Sequence, residues 1–160
     1  MTDTRPTADP VVDQLRAAFP NAAFRWVDPG VPSCVVSTAL VADIARFLKV
    51  TPGLEFGLLA SITAIDYLDR IDIVYQVRSL STRQDFVFRV EIDRDGETVP
   101  SVTPVWLAGN FQEREIYDLM GVAFTNHPNL KRILLYDEFD GHPLRKDWRL
   151  PAEPRVGGNP

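Results

Sequence analysis

Cysteine and histidine are scarce in this chain: Cys34 stands alone, and His127 and His142 are the two histidines among 160 residues. One cysteine excludes an intrachain disulfide. It also leaves the chain without the thiolates that an iron–sulfur cluster or a cysteine-rich zinc site requires. Within "SCVVST", Cys34 reads as a small, buried strand residue. Positive charge is not in excess either. The formal net charge is −5, which argues against a general nucleic-acid binder, because such a protein needs a basic face to displace counterions from phosphates. No apolar run approaches the roughly 20 residues needed to span a bilayer. The polar start "MTDTRPTADP" lacks the apolar stretch of a secretory signal. A soluble chain, held to a membrane only through partners, is therefore expected. The glycines are scattered among turns: no G-x-G-x-x-G follows a strand, no phosphate-binding G-x-x-x-x-G-K-[ST] occurs, and no serine or cysteine sits in a G-x-S-x-G elbow.

What is present is enough apolar material for a core. Hydrophobic residues make up 45% of the chain, and its length suits one domain with tails. "DPVVDQLRAAF" predicts a short helix, capped by Asp9, with Pro10 in the first position and Pro20 as its stop. Val12, Leu15 and Phe19 share one of its faces. "AAFRWV" and "SCVVST" predict strands around the turn "DPGVP". "STALVADIARFLKV" predicts a helix capped by Ser37 or Thr38, with Leu40, Ile44, Phe47 and Leu48 at helical spacing. "LLASITAI" has the length and β-branching of a buried strand. "IDIVYQVRS" and "DFVFRVEI" alternate, and they predict an antiparallel hairpin through "LSTRQ" with Ile71, Ile73, Tyr75, Val77, Phe86, Phe88, Val90 and Ile92 inward. Asp95-Gly96 centres a turn. "NFQEREIYDLMG" predicts another helix, with Asn110 and Glu113 as a capping box, an apolar stripe of Ile116, Leu119 and Met120, and Gly121 as a left-handed cap.

Beyond that helix, prolines and short apolar clusters predict an extended, irregular tail that is too long for a connecting loop and too apolar for a disordered linker. The expectation is an α+β fold: a mixed, mostly antiparallel sheet with helices packed on one side, followed by an extended C-terminal strap. The corresponding division is a disordered lead at 1–8, a domain at 9–124 and a strap at 125–160.

Both histidines fall in "NHPNLKRILLYDEFDGHPLRKDW". With Asp137, Glu138, Asp140 and Asp147 nearby they offer donors for zinc, but neither histidine has a second histidine or a cysteine at a local ligand spacing. Glu113, Glu115 and Asp118 offer carboxylates for acid–base work. Glu113 and Glu115, however, point about 200° apart on a helix. Glu115 and Asp118 share a face, as do Glu113 and Tyr117, and Arg114 and Asp118 form an i, i+4 pair. The plain reading of these charges is a solvated or interface face. Pro128 and Pro143 push both histidines into extended backbone, and an extended chain gains by lying along another surface. Arg132, Arg145 and Lys146 supply charge-assisted donors for it. A strap that grips a partner leads this reading, and an independent metal- or carboxylate-dependent enzyme is the distant alternative.

One block goes further. Glu113, Arg114, Glu115, Tyr117, Asp118, Gly121, Phe124, His127, Pro128, Leu130, Arg132, Ile133 and Leu134, then Gly141, Pro143, Leu144, Arg145, Lys146 and Asp147, closely resemble the hallmark pattern of the 30-kilodalton-type subunit of proton-pumping NADH:quinone oxidoreductase, respiratory complex I. The resemblance implies a non-catalytic member of the hydrophilic arm that itself binds no flavin, cluster or quinone. FMN, Fe-S clusters and quinone would belong to partner subunits, among them the quinone-site (49-kilodalton-type) subunit and the terminal-cluster subunit. The place implied is peripheral, on the cytoplasmic face of the inner membrane. Membrane-bound hydrogenases and deazaflavin- or ferredoxin-linked relatives share the module and form the alternative. Beside this resemblance, Glu113, Arg114, Glu115 and Asp118 are expected to organise a charged network between helix and strap or partner, with Tyr117 in the same interface or structural network. Arg132, Arg145, Lys146 and Asp147 are expected in interface ion pairs, and His127 and His142 in hydrogen bonds within the extended backbone. The competing expectation is that these pairs merely tie the tail to its own domain.

Overall fold

The computed structural model describes residues 9–27 and 33–150. The expected lead at 1–8, the turn "DPGVP" from residue 28 on, and the strap beyond Leu150 lie outside the described residues. Helix α1 spans Pro10–Ala18, and the Asp9 carboxylate accepts the Val11 N–H at 2.9 Å as the cap. Strands β1 (Arg25–Val27) and β2 (Ser33–Val35) follow. A single 3-10 turn, Thr38–Leu40, leads into α2, Val41–Val50. Contrary to expectation, neither Ser37 nor Thr38 caps that helix with its side chain; the tight turn continues into the helix, so its cap position carries an apolar leucine. Strands β3 (Leu58–Asp66), β4 (Arg70–Arg78) and β5 (Asp85–Asp93) form a meander, and β6 is Thr98–Pro100. Helix α3 runs Gly109–Met120, and β7 is Ala123–Thr125.

The five-stranded sheet has the order β1-β2-β5-β4-β3. All neighbours are antiparallel except β2 and β5. The β4–β5 register sets Tyr75 opposite Phe88, and their rings stack with centroids 4.7 Å apart. The alternating residues expected inward on these strands are all buried, in one core with Val11, Val12 and Leu15 of α1, Ile44 and Leu48 of α2, and Ile116 and Met120 of α3. The opposite side of the sheet is polar but not open. There Arg89 donates to Ser33 Oγ (2.5 Å) and to the fully buried Asp72 (3.2 Å), which also accepts from Arg70 (2.9 Å). A charge taken that far from water persists only when paired and hydrogen-bonded.

Two further expectations fail. Strand β3 is not a buried strand: it is the sheet's edge, with Leu58, Ala60 and Thr63 exposed. β-branching marks a pleated surface, not the centre of a sheet. Helix α3 lies against β3, and its Gln112 side chain accepts the Ile62 N–H at 2.5 Å, occupying a group that an edge strand leaves unpaired. The capping box is also absent. Helix α3 begins two residues earlier than an Asn110 cap requires, with Ala108 in the cap position and no side-chain cap bond. Glu113 has instead been drawn into the interior, where it is fully buried. The short parallel pair β6–β7 has no counterpart in the sequence pattern. Three-residue strands are too brief for alternation to register. From Asn126 to Leu150 no helix or strand forms.

Candidate functional site

The strap is held along α3, and the node of the contact is Asp118. Its side chain is fully buried. One carboxylate oxygen accepts three successive backbone N–H groups, those of Ile133 (3.0 Å), Leu134 (2.7 Å) and Leu135 (2.9 Å). The other accepts from the Arg132 guanidinium at 2.8 Å. Burial alone would push this carboxyl up, but the N–H groups of Leu135, Leu134 and Ile133 and the Arg132 cation outweigh it and hold the group down at about 2. Hydrogen bonds offered to the charged form favour ionisation in this way. The expected Arg114–Asp118 pair is not made, because Asp118 is already engaged. Arg114 reaches past it to the carbonyls of Lys131 and Arg132, both at 3.1 Å.

The end of α3 explains the second set of contacts. The last carbonyls of a helix have no partners within it and carry its negative pole. Strap residues supply the donors. His142 Nδ1 lies 3.0 Å from the Asp118 carbonyl, the Leu144 N–H donates to Leu119 O (3.1 Å), and Arg145 Nε donates to Met120 O (2.8 Å). The chain leaves the helix through Gly121 in the left-handed region, φ +73°. A Cβ there would meet the His142 ring at 2.5 Å, so the glycine serves both the turn and the histidine. His127 serves the other end of the helix. Its Nε2 lies 3.1 Å from the Asn110 carbonyl, and its Nδ1 accepts the Asn129 N–H at 3.0 Å. That pattern places the proton on Nε2. Behind it, Glu113 accepts from Ser101 Oγ (2.6 Å), the Val102 N–H (2.7 Å) and Thr103 Oγ1 (3.3 Å), with His127 3.9 Å away. Burial pushes the Glu113 carboxyl above its ordinary value, only partly offset by these donors and by His127.

The distal strap is pinned at the ends of β3 and β5. Asp66, whose carboxyl is pushed up by burial but drawn down further by the N–H groups of Lys146 and Leu68 and by Arg94, binds the Lys146 N–H at 2.8 Å and Arg94 at 3.0 Å. Arg94 also pairs with Asp147 and holds that carboxyl at about 2. Arg145 bonds Asp95 (2.9 Å) and the Arg94 carbonyl (3.1 Å). The Lys146 ammonium sits 5.6 Å from the Tyr67 ring centroid. Trp148 stacks on Phe139, and its indole packs where Gly141 lacks a Cβ.

Asp118, Arg114, Arg132, His142 and Arg145 are thus gathered at α3, Lys146 and Asp147 at Asp66, and Glu113 with His127. Glu115 is exposed and Tyr117 half-buried; the side chain of neither makes a hydrogen bond or ion pair with any described residue. Asp66 and Arg94 are not among the residues that the sequence singles out, and Asp95 is singled out there only as a turn residue. The one signal for them is charge at the end of an apolar strand, which most turns also show. With the polar side of the strap facing its own domain, Leu134 and Tyr136, 62% and 66% exposed, point away from it, and Leu144 is also exposed. Among the described residues, no group of three or more histidine, cysteine, aspartate or glutamate side chains is placed to hold a metal ion. No helix among them is long and apolar enough to cross a membrane.

Comparison with known proteins gives these features a family. The profile described as respiratory-chain NADH dehydrogenase, 30 Kd subunit, matches residues 34–154. The C subunit of NADH-quinone oxidoreductase from Moorella thermoacetica is 44% identical over 148 residues, covering 91% of this chain and 97% of that protein. Its counterpart in Roseiflexus sp. (strain RS-1) is 40% identical over 147 residues, covering 89% and 84%. Among solved structures, the trypsin-resistant fragment (1-134) of Nqo5 superposes with a TM-score of 0.62 at 29% identity, over 76% of this chain and 97% of the fragment. A chain of the membrane-bound sulfane sulfur reductase, an archaeal respiratory membrane complex, reaches a TM-score of 0.70 at 22% identity over 89% of this chain and 85% of its own, which shows a shared fold. The chain belongs to the 30-kDa subunit family of respiratory-chain NADH dehydrogenase, the family of the C subunits of NADH-quinone oxidoreductase.

Proposed function

We propose that this chain is a non-catalytic part of the peripheral arm of a proton-translocating NADH:quinone oxidoreductase, and that its strap docks on the quinone-site subunit. The observation that carries the reading is the strap's asymmetry. Its polar groups are turned inward onto α3, Asp66 and Arg94, while Leu134 and Tyr136 are turned outward and left uncovered. Exposed apolar side chains on an ordered, irregular segment mark a surface that another protein covers. In this reading Glu113, Arg114, Asp118, Arg132, Arg145 and Asp147 shape the strap for its partner, and Glu115 and Tyr117 are free to meet it. FMN, Fe-S clusters and quinone stay with the partner subunits. The assembly sits on the cytoplasmic face of the inner membrane.

The division into a domain at 9–124 and a strap at 125–160 is part of the proposal. It is supported by the absence of regular structure from Asn126 to Leu150 and by the Nqo5 relative, of which a trypsin-resistant fragment (1-134) is itself a solved chain. The related-complex alternative draws on fold alone, through the sulfane sulfur reductase chain.

The test is affinity capture of the tagged full chain from gently solubilised membranes of its own cell. Recovery of the quinone-site and terminal-cluster subunits with NADH:quinone activity is expected. Recovery of hydrogenase subunits would move the chain to the alternative complex, and capture of the chain alone would overturn both.

A further inference from the structure

The two attachments of the strap differ in kind. At the proximal one, Asp118 is wholly buried and takes three backbone N–H groups and Arg132. At the distal one, His142, Leu144 and Arg145 meet the last carbonyls of α3 and the Lys146 N–H meets Asp66, but the ion pairs that close these contacts have a wet side. Asp147 is 56% exposed in its pair with Arg94, and Asp95 is 80% exposed in its pair with Arg145. Salt screens exposed pairs and scarcely touches buried ones. Between the two attachments lies Gly141, with φ +93°, where the chain turns in a conformation that other residues resist.

We propose that the strap is a two-stage latch: the segment from Gly141 to Leu150 opens first, by loss of the Arg94–Asp147 and Arg145–Asp95 pairs, while the Asp118 node keeps Arg132–Leu135 in place. The distal segment is then the part available for exchange onto another surface, and the proximal segment is a fixed platform. This order follows from burial and charge within the chain and does not depend on which partner the strap meets. Other charged groups at the distal segment are Asp66, Lys146 and Arg149. Among them Asp66 is buried and remains to guide reclosure.

Amide hydrogen exchange on the full 160-residue chain distinguishes the stages. The Leu144 and Lys146 amides report the distal attachment, and those of Ile133, Leu134 and Leu135 the node. Raising salt to about 1 M, where the screening length falls to about 3 Å, is expected to speed distal exchange about three- to fivefold and leave the node unchanged. In Asp118→Asn both sets are expected to exchange together, because the stop is gone. All five amides moving together in the wild-type chain would overturn the proposal, because the strap would then open as one piece. Insensitivity of all five to salt, or distal amides unprotected even at low salt, would overturn it as well, because no electrostatic latch would then exist.

Discussion

The sheet and the strap are held by opposite means. In the sheet, Tyr75, Phe88, Ile71 and Ile73 are fully buried, and backbone pairing follows a nine-residue register between β4 and β5. From Asn126 to Leu150 no strand pairs with the strap, and a few carboxylates and helix-end carbonyls do the holding. Apolar burial is spread over many residues, so any one of them contributes a modest share. A carboxylate node is concentrated, and losing its centre leaves several donors unpaired at once. The strap should therefore be fragile to single substitutions that the sheet would survive, and the expected effects rank accordingly.

The largest effect is expected for Asp118→Ala. It strands three N–H groups and a guanidinium, and removing one partner of a buried pair costs on the order of 3–5 kcal/mol. Chemical denaturation should show that loss, with trypsin cutting at Lys131 and Arg132 while β4 and β5 stay protected. A variant whose sheet and strap loosen equally would erase the contrast.

Acid reaches the same node reversibly. Asp118 and Asp147 titrate at about 2 in the folded chain against an ordinary 3.8, and Asp66 is also lowered. Their contribution is present above the ordinary carboxylate range and is lost as pH falls towards their folded values. Glu113, raised by burial, has the opposite sign: its contribution is present in acid and fades as pH rises through its folded value. Strap amides should thus lose protection between about pH 4 and pH 2, ahead of the sheet amides. Hydrogen exchange across that range checks the order.

Gly121→Ala comes next. It forces a side chain onto a left-handed residue and into the His142 ring. A penalty of about 1–2 kcal/mol is expected, visible in a shifted His142 ring resonance as the ring gives way. Arg145→Ala is smaller. It removes the donor to Met120 O and the pair with Asp95, whose carboxylate is mostly exposed, so about 1 kcal/mol is expected. Thermal unfolding of the isolated chain reads it. A normal melting temperature with lost assembly would mean that Arg145 acts on a partner instead.

The same contrast explains what was legible in the sequence. Alternation in "IDIVYQVRS" and "DFVFRVEI" gave the hairpin and its inward residues, because the period of a strand is written in consecutive positions. The Asp9 cap and the Gly121 stop were legible for the same local reason. Whether a strand is central or at an edge depends on neighbours far along the chain, and so β3 was misplaced. Glu113 matched a capping box by spacing, yet the turn bearing Ser101, Val102 and Thr103 supplied better donors from outside the helix. The strap had no period to read. Its residues were picked out by density of motif and by resemblance, which named Asp118, Arg132, His142 and Arg145 without revealing that they close on one another. Asp66 and Arg94 stayed hidden because their partners lie 80 and 53 positions away.

In the proposed assembly the strap's outward apolar residues, not its ion pairs, meet the partner. Leu134→Asp with Tyr136→Asp in the full tagged chain tests it most directly, because both side chains face away from the domain. An unchanged melting temperature and unchanged protection of the Ile133–Leu135 amides are expected, with the quinone-site subunit lost from affinity capture. Recovery of that subunit at wild-type levels would contradict it.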